Sequence, residues 1–116
     1  MVDRKGMLMN YKNLANLLLD IEAELKQLQL WQTNRPSDKA LASTEPFCID
    51  TLSLPQWLQF IFLERMTNLI SQKRALPAQC GVAPLAAEFF KGHSGNGLQL
   101  INLLQRLDAL LSEQKS

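Results

Sequence analysis

One histidine and two cysteines are all that 116 residues offer to thiol, imidazole or soft-metal chemistry. Cys48, Cys80 and His93 cannot make up a four-ligand zinc site, and the two thiols are far apart with no CxxC spacing. A histidine-based relay would have to use His93, which sits in the run Gly92-His-Ser-Gly-Asn-Gly97. A surface or capping role suits a residue in such an interhelix loop better than catalysis does. The same glycines suggest a phosphate loop, but there is no P-loop lysine and no preceding strand, so a flexible turn is the simpler reading.

Charge of one sign is missing too. Twelve Lys and Arg against eleven Asp and Glu leave a net charge of +1, so no global field draws the chain onto a phosphate backbone or an anionic membrane. Long hydrophobic runs are absent: the longest, Trp57 to Leu63, contains Gln59 and falls well short of the ~20 residues that span a bilayer. The N-terminus shows no signal-peptide core. A cytoplasmic location is expected, with both thiols reduced and used for packing. No repeat or low-complexity segment is visible, and nothing alternates like a strand.

What is present is helical periodicity. Leu14, Leu18, Ile21, Leu25 and Leu28 recur at spacings of four and three, which predicts a helix from about Met7 to Trp31. Leu100, Leu103, Leu104, Leu107, Leu110 and Leu111 form a similar stripe opposite Asn102, Gln105, Arg106 and Ser112. The capping box Asn96-Gly-Leu-Gln99 places the start of that last helix at Gly97. A third long helix is read from Leu54 to Lys73, opened by the box Ser53-Leu-Pro-Gln56 and closed by Lys73 and Arg74 against the negative end of its dipole. A shorter one runs from Pro84 to Lys91. The expected fold is all-α, an antiparallel bundle of about four helices in a single domain over 1–116, with 47% hydrophobic residues to fill its core.

Between the first two long helices lies an irregular connection, Gln32 to Ser53, with Pro36, Pro46 and a short helical turn expected at Ser37 to Leu41. A structureless connection of that length is usually functional or tied down over the core. Asp20 and Glu24 share a flank of helix one, where solvent is a better explanation than acid–base chemistry, and Glu22 and Lys26 make an i,i+4 pair.

Three features are less easily explained away. Arg65 falls inside the apolar face made by Leu58, Ile61, Phe62, Met66 and Leu69, where an unpaired guanidinium is costly, so a pairing with Asp50 is expected, with a snorkelling arginine as the alternative. Trp57 and Phe60 lie off that face, on the flank of Glu64 and Asn68, either covered by the connection through Phe47 and Ile49 or left as binding anchors. Leu19, Ala23 and Leu30 line the back of helix one beside Lys12, so a further element or a partner is expected there.

Trp31, the run Ser43-Thr-Glu-Pro-Phe47, Asp50-Thr51, Trp57-Leu-Gln59, Arg65-Met66, Leu76-Pro77 and Ala83-Pro84 with Glu88 together resemble the pattern of the YqcC-like family, from Tyr11 to Leu111. The resemblance implies a small bacterial helical bundle with no assigned reaction, linked by gene neighbourhood to a tRNA pseudouridine synthase. It carries over no catalytic residues, and no cofactor or metal site is expected. Its emphasis falls on the connection and the start of the next helix, so Phe47, Asp50, Thr51, Trp57, Phe60 and Arg65 form the candidate interaction patch. The expected function is a non-catalytic accessory protein for an RNA-modifying enzyme. The alternative is a ligand-binding or enzymatic bundle with an interhelix pocket. Direct tRNA binding would need a basic cluster such as Lys73, Arg74 and Lys91, which helix C-termini already explain.

Overall fold

The computed structural model describes residues 4–77, 81–92 and 97–112, with side chains from residue 11 onward. Cys80, His93 and the cap residue Asn96 lie outside the described residues.

Helix α1 spans Arg4–Gln27 and buries Leu14, Leu18, Ile21 and Leu25, the stripe that the spacing predicts. It stops short of Trp31 because Gln29 turns left-handed (φ 61°). The Leu30 N–H then bonds the Leu25 carbonyl at 2.9 Å and the Gln29 N–H bonds Lys26 at 3.0 Å. This is the Schellman closure, made here without the glycine that would have signalled it. On the outer side, Glu22 and Lys26 pair at 2.9 Å. Leu30 packs on the core, but Leu19 and Ala23 are exposed, so the expected second layer on the back of α1 is not supplied by the described residues.

The connection holds α2, Asp38–Leu41, with Ser37 as N-cap accepting from the Ala40 N–H at 3.1 Å, as the sequence predicts. Helix α3 covers residues 54–71. Its capping box is complete: the Ser53 N–H donates to Gln56 Oε1 at 2.8 Å and the Gln56 N–H donates to Ser53 Oγ at 3.4 Å. It ends in a second Schellman closure at Lys73 (φ 54°), with the Arg74 N–H on the Leu69 carbonyl at 2.9 Å.

Helix α4, Val82–Phe89, begins two residues before Pro84 and continues as a 3-10 turn, Phe90–Gly92. The earlier start is supported from outside the helix. Asp108, on α5 (Leu98–Ser112), accepts the Val82 N–H at 3.1 Å and the Ala83 N–H at 2.8 Å through its two carboxylate oxygens. Those amides have no partner within their own helix, and the acidic charge complements the positive end of its dipole. On α5 the leucine stripe is buried except for Leu110, which is half-buried.

Helix α1 packs on α5 and on the second half of α3, while α4 packs on α5 and on the first turn of α3. Two pairs are antiparallel by their contacts. Tyr11, early in α1, donates its hydroxyl to the Arg74 carbonyl just past α3 at 2.6 Å, while Gln32 beyond the other end of α1 meets the start of α3. In the second pair, Asp108 meets the start of α4, and Gly97 at the start of α5 lies under Phe90, where an added Cβ would clash with the ring. The shared core includes Ile21, Leu58, Met66, Val82, Leu104 and the free Cys48 thiol.

Two substitutions test these contacts by urea denaturation. Asp108→Ala should cost about 1 kcal/mol as a lost cap, and Asp108→Asn less. Gly97→Ala should cost about 1–3 kcal/mol by overpacking against Phe90. Parent-like midpoints would show that neither contact contributes to stability.

Candidate functional site

A π turn at Leu58–Phe62 sets the geometry of the site, with the Leu63 N–H reaching back to the Leu58 carbonyl. The turn inserts one extra residue and rotates everything after it by about 100°, one residue's share of a helical turn. Trp57 ahead of the turn and Leu58, Gln59, Phe60 and Phe62 within it are buried; beyond it the buried positions are Leu63 and Met66. Arg65 is thereby carried out of the apolar face into solvent.

The expected Arg65–Asp50 pair is therefore not formed. Arg65 has no ion pair among the described residues, and Asp50 accepts instead from Ser43 Oγ at 2.5 Å. A continuous 3.6-residue wheel put the arginine inside, and the π turn moves it out.

Trp57 and Phe60 are each 8% exposed, so neither is a free anchor. Phe47 covers Trp57 edge-to-face, with ring centroids 5.0 Å apart, and Phe62 lies against the same indole at 5.1 Å. The covering role expected of Ile49 is not filled, since Ile49 is 69% exposed. Over Phe60 lies Arg35, its guanidinium carbon 5.8 Å from the ring and its Nη1 2.8 Å from Glu64.

Phe47 reaches Trp57 from an unusual backbone. It adopts φ 57° and ψ 18°, and Cys48 follows at φ 50°, giving two consecutive left-handed residues with side chains. Each costs on the order of 1–2 kcal/mol relative to right-handed geometry. The edge-to-face pair contributes about 0.5–1.5 kcal/mol, which offsets part of that cost, and burial of the rings and the hydrogen bonds of the loop must supply the rest. Thr51 secures the loop further by donating to the Ala40 carbonyl at 2.7 Å.

Phe47, Trp57, Phe60 and Arg65 thus line one open groove of about 560 Å³, together with Arg35 and Glu45. Asp50 and Thr51 do not line it; they brace the loop that forms its wall. Among the described residues, no cluster of His, Cys, Asp or Glu could hold a metal ion. What the groove offers is an aromatic ridge between cations, suited to contact.

Comparison with known proteins is consistent with this architecture. Residues 13–110 match a family model described as "tRNA pseudouridine synthase C". An Escherichia coli protein named "Uncharacterized protein YqcC" is 31% identical over 96 residues, which is 83% of this chain and 88% of that one. The solution NMR structure of E. coli YqcC superposes with a TM-score of 0.81 at 29% identity, covering 92% of both chains. The chain belongs to the YqcC-like family. An uncharacterised Haemophilus influenzae protein is 40% identical over 64% of this YqcC-like chain and 70% of its own length. A Pectobacterium carotovorum protein named tRNA pseudouridine synthase C is 45% identical over 60 residues. That match takes up 52% of this chain and 16% of the synthase, so the chain spans only a small part of the synthase's length.

Sequence reasoning missed what holds the YqcC-like connection to α3. Gln59, 7% exposed, accepts the Gln32 N–H on Oε1 at 2.9 Å and donates from Nε2 to the Gln32 carbonyl at 2.8 Å. Gln56 Nε2 adds a bond to Gln32 Oε1 at 3.3 Å. The signal was there: one amide inside the longest apolar run must find partners.

Gln59→Leu should cost about 1–2 kcal/mol through the loss of its two hydrogen bonds to the Gln32 backbone. At Phe47 the backbone predicts an inverted order. Phe47→Gly should be less destabilising than Phe47→Ala by about 1 kcal/mol, since both lose the ring and only glycine relieves the left-handed strain. Thermal melts of the three variants decide both points, and Phe47→Ala more stable than Phe47→Gly would refute the strain.

Proposed function

We propose that this YqcC-like chain is a non-catalytic accessory protein that binds an RNA-modifying enzyme, a pseudouridine synthase, in the cytoplasm. The observation that carries the reading is the 60-residue stretch, 45% identical, inside a protein named tRNA pseudouridine synthase C. Two units on one chain meet at high effective concentration without needing an interface, whereas separate chains must hold each other through a surface. The family description, which also names the synthase, points the same way.

The site supports contact over chemistry. Gln59, the polar residue buried in the core, has both ends of its amide engaged by Gln32, so it is not free to orient a ligand. The groove lies open at the surface, framed by the connection. Direct RNA binding is disfavoured because the chain carries a net charge of only +1. No helix among the described residues is long and apolar enough to cross a membrane.

The test is reconstitution with the purified synthase of the same organism. A stoichiometric complex should survive RNase on size exclusion, and the chain alone should convert no uridine in tRNA while the synthase does. A synthase that elutes free of this chain at micromolar concentrations of both, with and without tRNA, would end the proposal.

A further inference from the structure

A second groove of about 470 Å³, bounded by Met66, Leu69, Leu76 and Pro77, meets the first along Phe47, Trp57 and Arg65. Phe47 is the ridge between the two, and Arg65 is the one charged residue lining the second among the described residues. The cations of the joint surface are unequal. Arg35 is committed to Glu64 at 2.8 Å, whereas Arg65 is exposed with no hydrogen bond or ion pair among the described residues. Glu45 lines only the first groove.

We infer that this double groove docks an acidic, apolar segment of the partner protein, one carboxylate meeting Arg65 while a neighbouring apolar side chain fills the groove beside Leu69 and Leu76. This rests on the accessory reading above and adds where the partner binds and by what chemistry. A guanidinium with all its donors free is matched by a carboxylate in two parallel hydrogen bonds. The apolar residues beside it give a neighbouring apolar side chain of the partner a surface to cover, and the charge match selects the partner. A single-stranded nucleic acid fits less well. Base stacking needs an open aromatic face, and the Trp57 indole is already covered by Phe47 at 5.0 Å and Phe62 at 5.1 Å. With a net charge of +1, the chain has no strong overall field to hold a phosphate backbone.

The test measures binding of the purified synthase to the parent chain, to Arg65→Glu and Arg65→Lys, and to Leu19→Asp on the exposed outer side of α1 as a control. Arg65 is exposed and unpaired, so circular dichroism and urea midpoints of its variants should match the parent. Arg65→Glu should weaken binding at least tenfold and Arg65→Lys by less, since lysine keeps the charge but loses the paired hydrogen bonds, while Leu19→Asp stays within about threefold. A photo-crosslinking amino acid at exposed Glu45 should capture a synthase segment carrying Asp or Glu beside apolar residues. If Arg65→Glu binds as the parent does, or the captured segment has no carboxylate, the docking inference falls and the partnership stands. A synthase that binds none of the four chains overturns both. Binding that depends on Arg65 but vanishes with RNase overturns the inference in favour of RNA.

Discussion

The two hydrogen bonds between the Gln59 amide and the Gln32 backbone hold the irregular connection against α3, and the rest of the surface depends on them. A side-chain amide reproduces the donor and acceptor of a peptide group, so Gln59 treats the connection as if it were a neighbouring strand. With Gln32 pinned there, Arg35 comes over Phe60 and reaches Glu64, and the chain returns across α3 through α2 to Phe47. Each net hydrogen bond is worth only about 1 kcal/mol, but leaving a buried amide unmet costs more, which favours this register over others.

The π turn and the left-handed Phe47–Cys48 pair are both departures from relaxed backbone, and they serve the same end. One brings four consecutive side chains of α3 inward; the other drops an aromatic cover onto the first of them. Local strain of this kind persists only where surrounding contacts over-determine it. Here the surrounding contacts are Phe47 on Trp57, Trp57 on Phe62, and the Ser43–Asp50 and Thr51–Ala40 bonds within the loop. The result is a stiff wall beside an exposed arginine, a shape that keeps the ordering cost of association low.

Membership of the YqcC-like family agrees with this division between a conventional helical core and an elaborated edge. The core is mostly leucine, with α5 between α1 and α4. The edge holds the paired amides, the aromatic stack and the exposed Arg65 guanidinium.

From the sequence alone, the all-α class, the extents of α3 and α5 to within a few residues and the Ser37 and Ser53 caps were legible, and Phe47, Trp57, Phe60 and Arg65 stood out as candidates that the structure brings to one groove. Caps and stripes depend on residues three or four apart, and those relations survive whatever the rest of the chain does. Tertiary structure decided the remainder. Whether Arg65 faces inward depends on a single inserted residue, invisible to a regular wheel and stabilised by burial of the Trp57–Phe60 run on both sides. Asp108 caps a helix it does not belong to, Gln29 and Lys73 end helices in a conformation usually given to glycine, and Gln59 finds its partner 27 positions away. No local pattern encodes these pairings, because their partners become neighbours only when the helices pack.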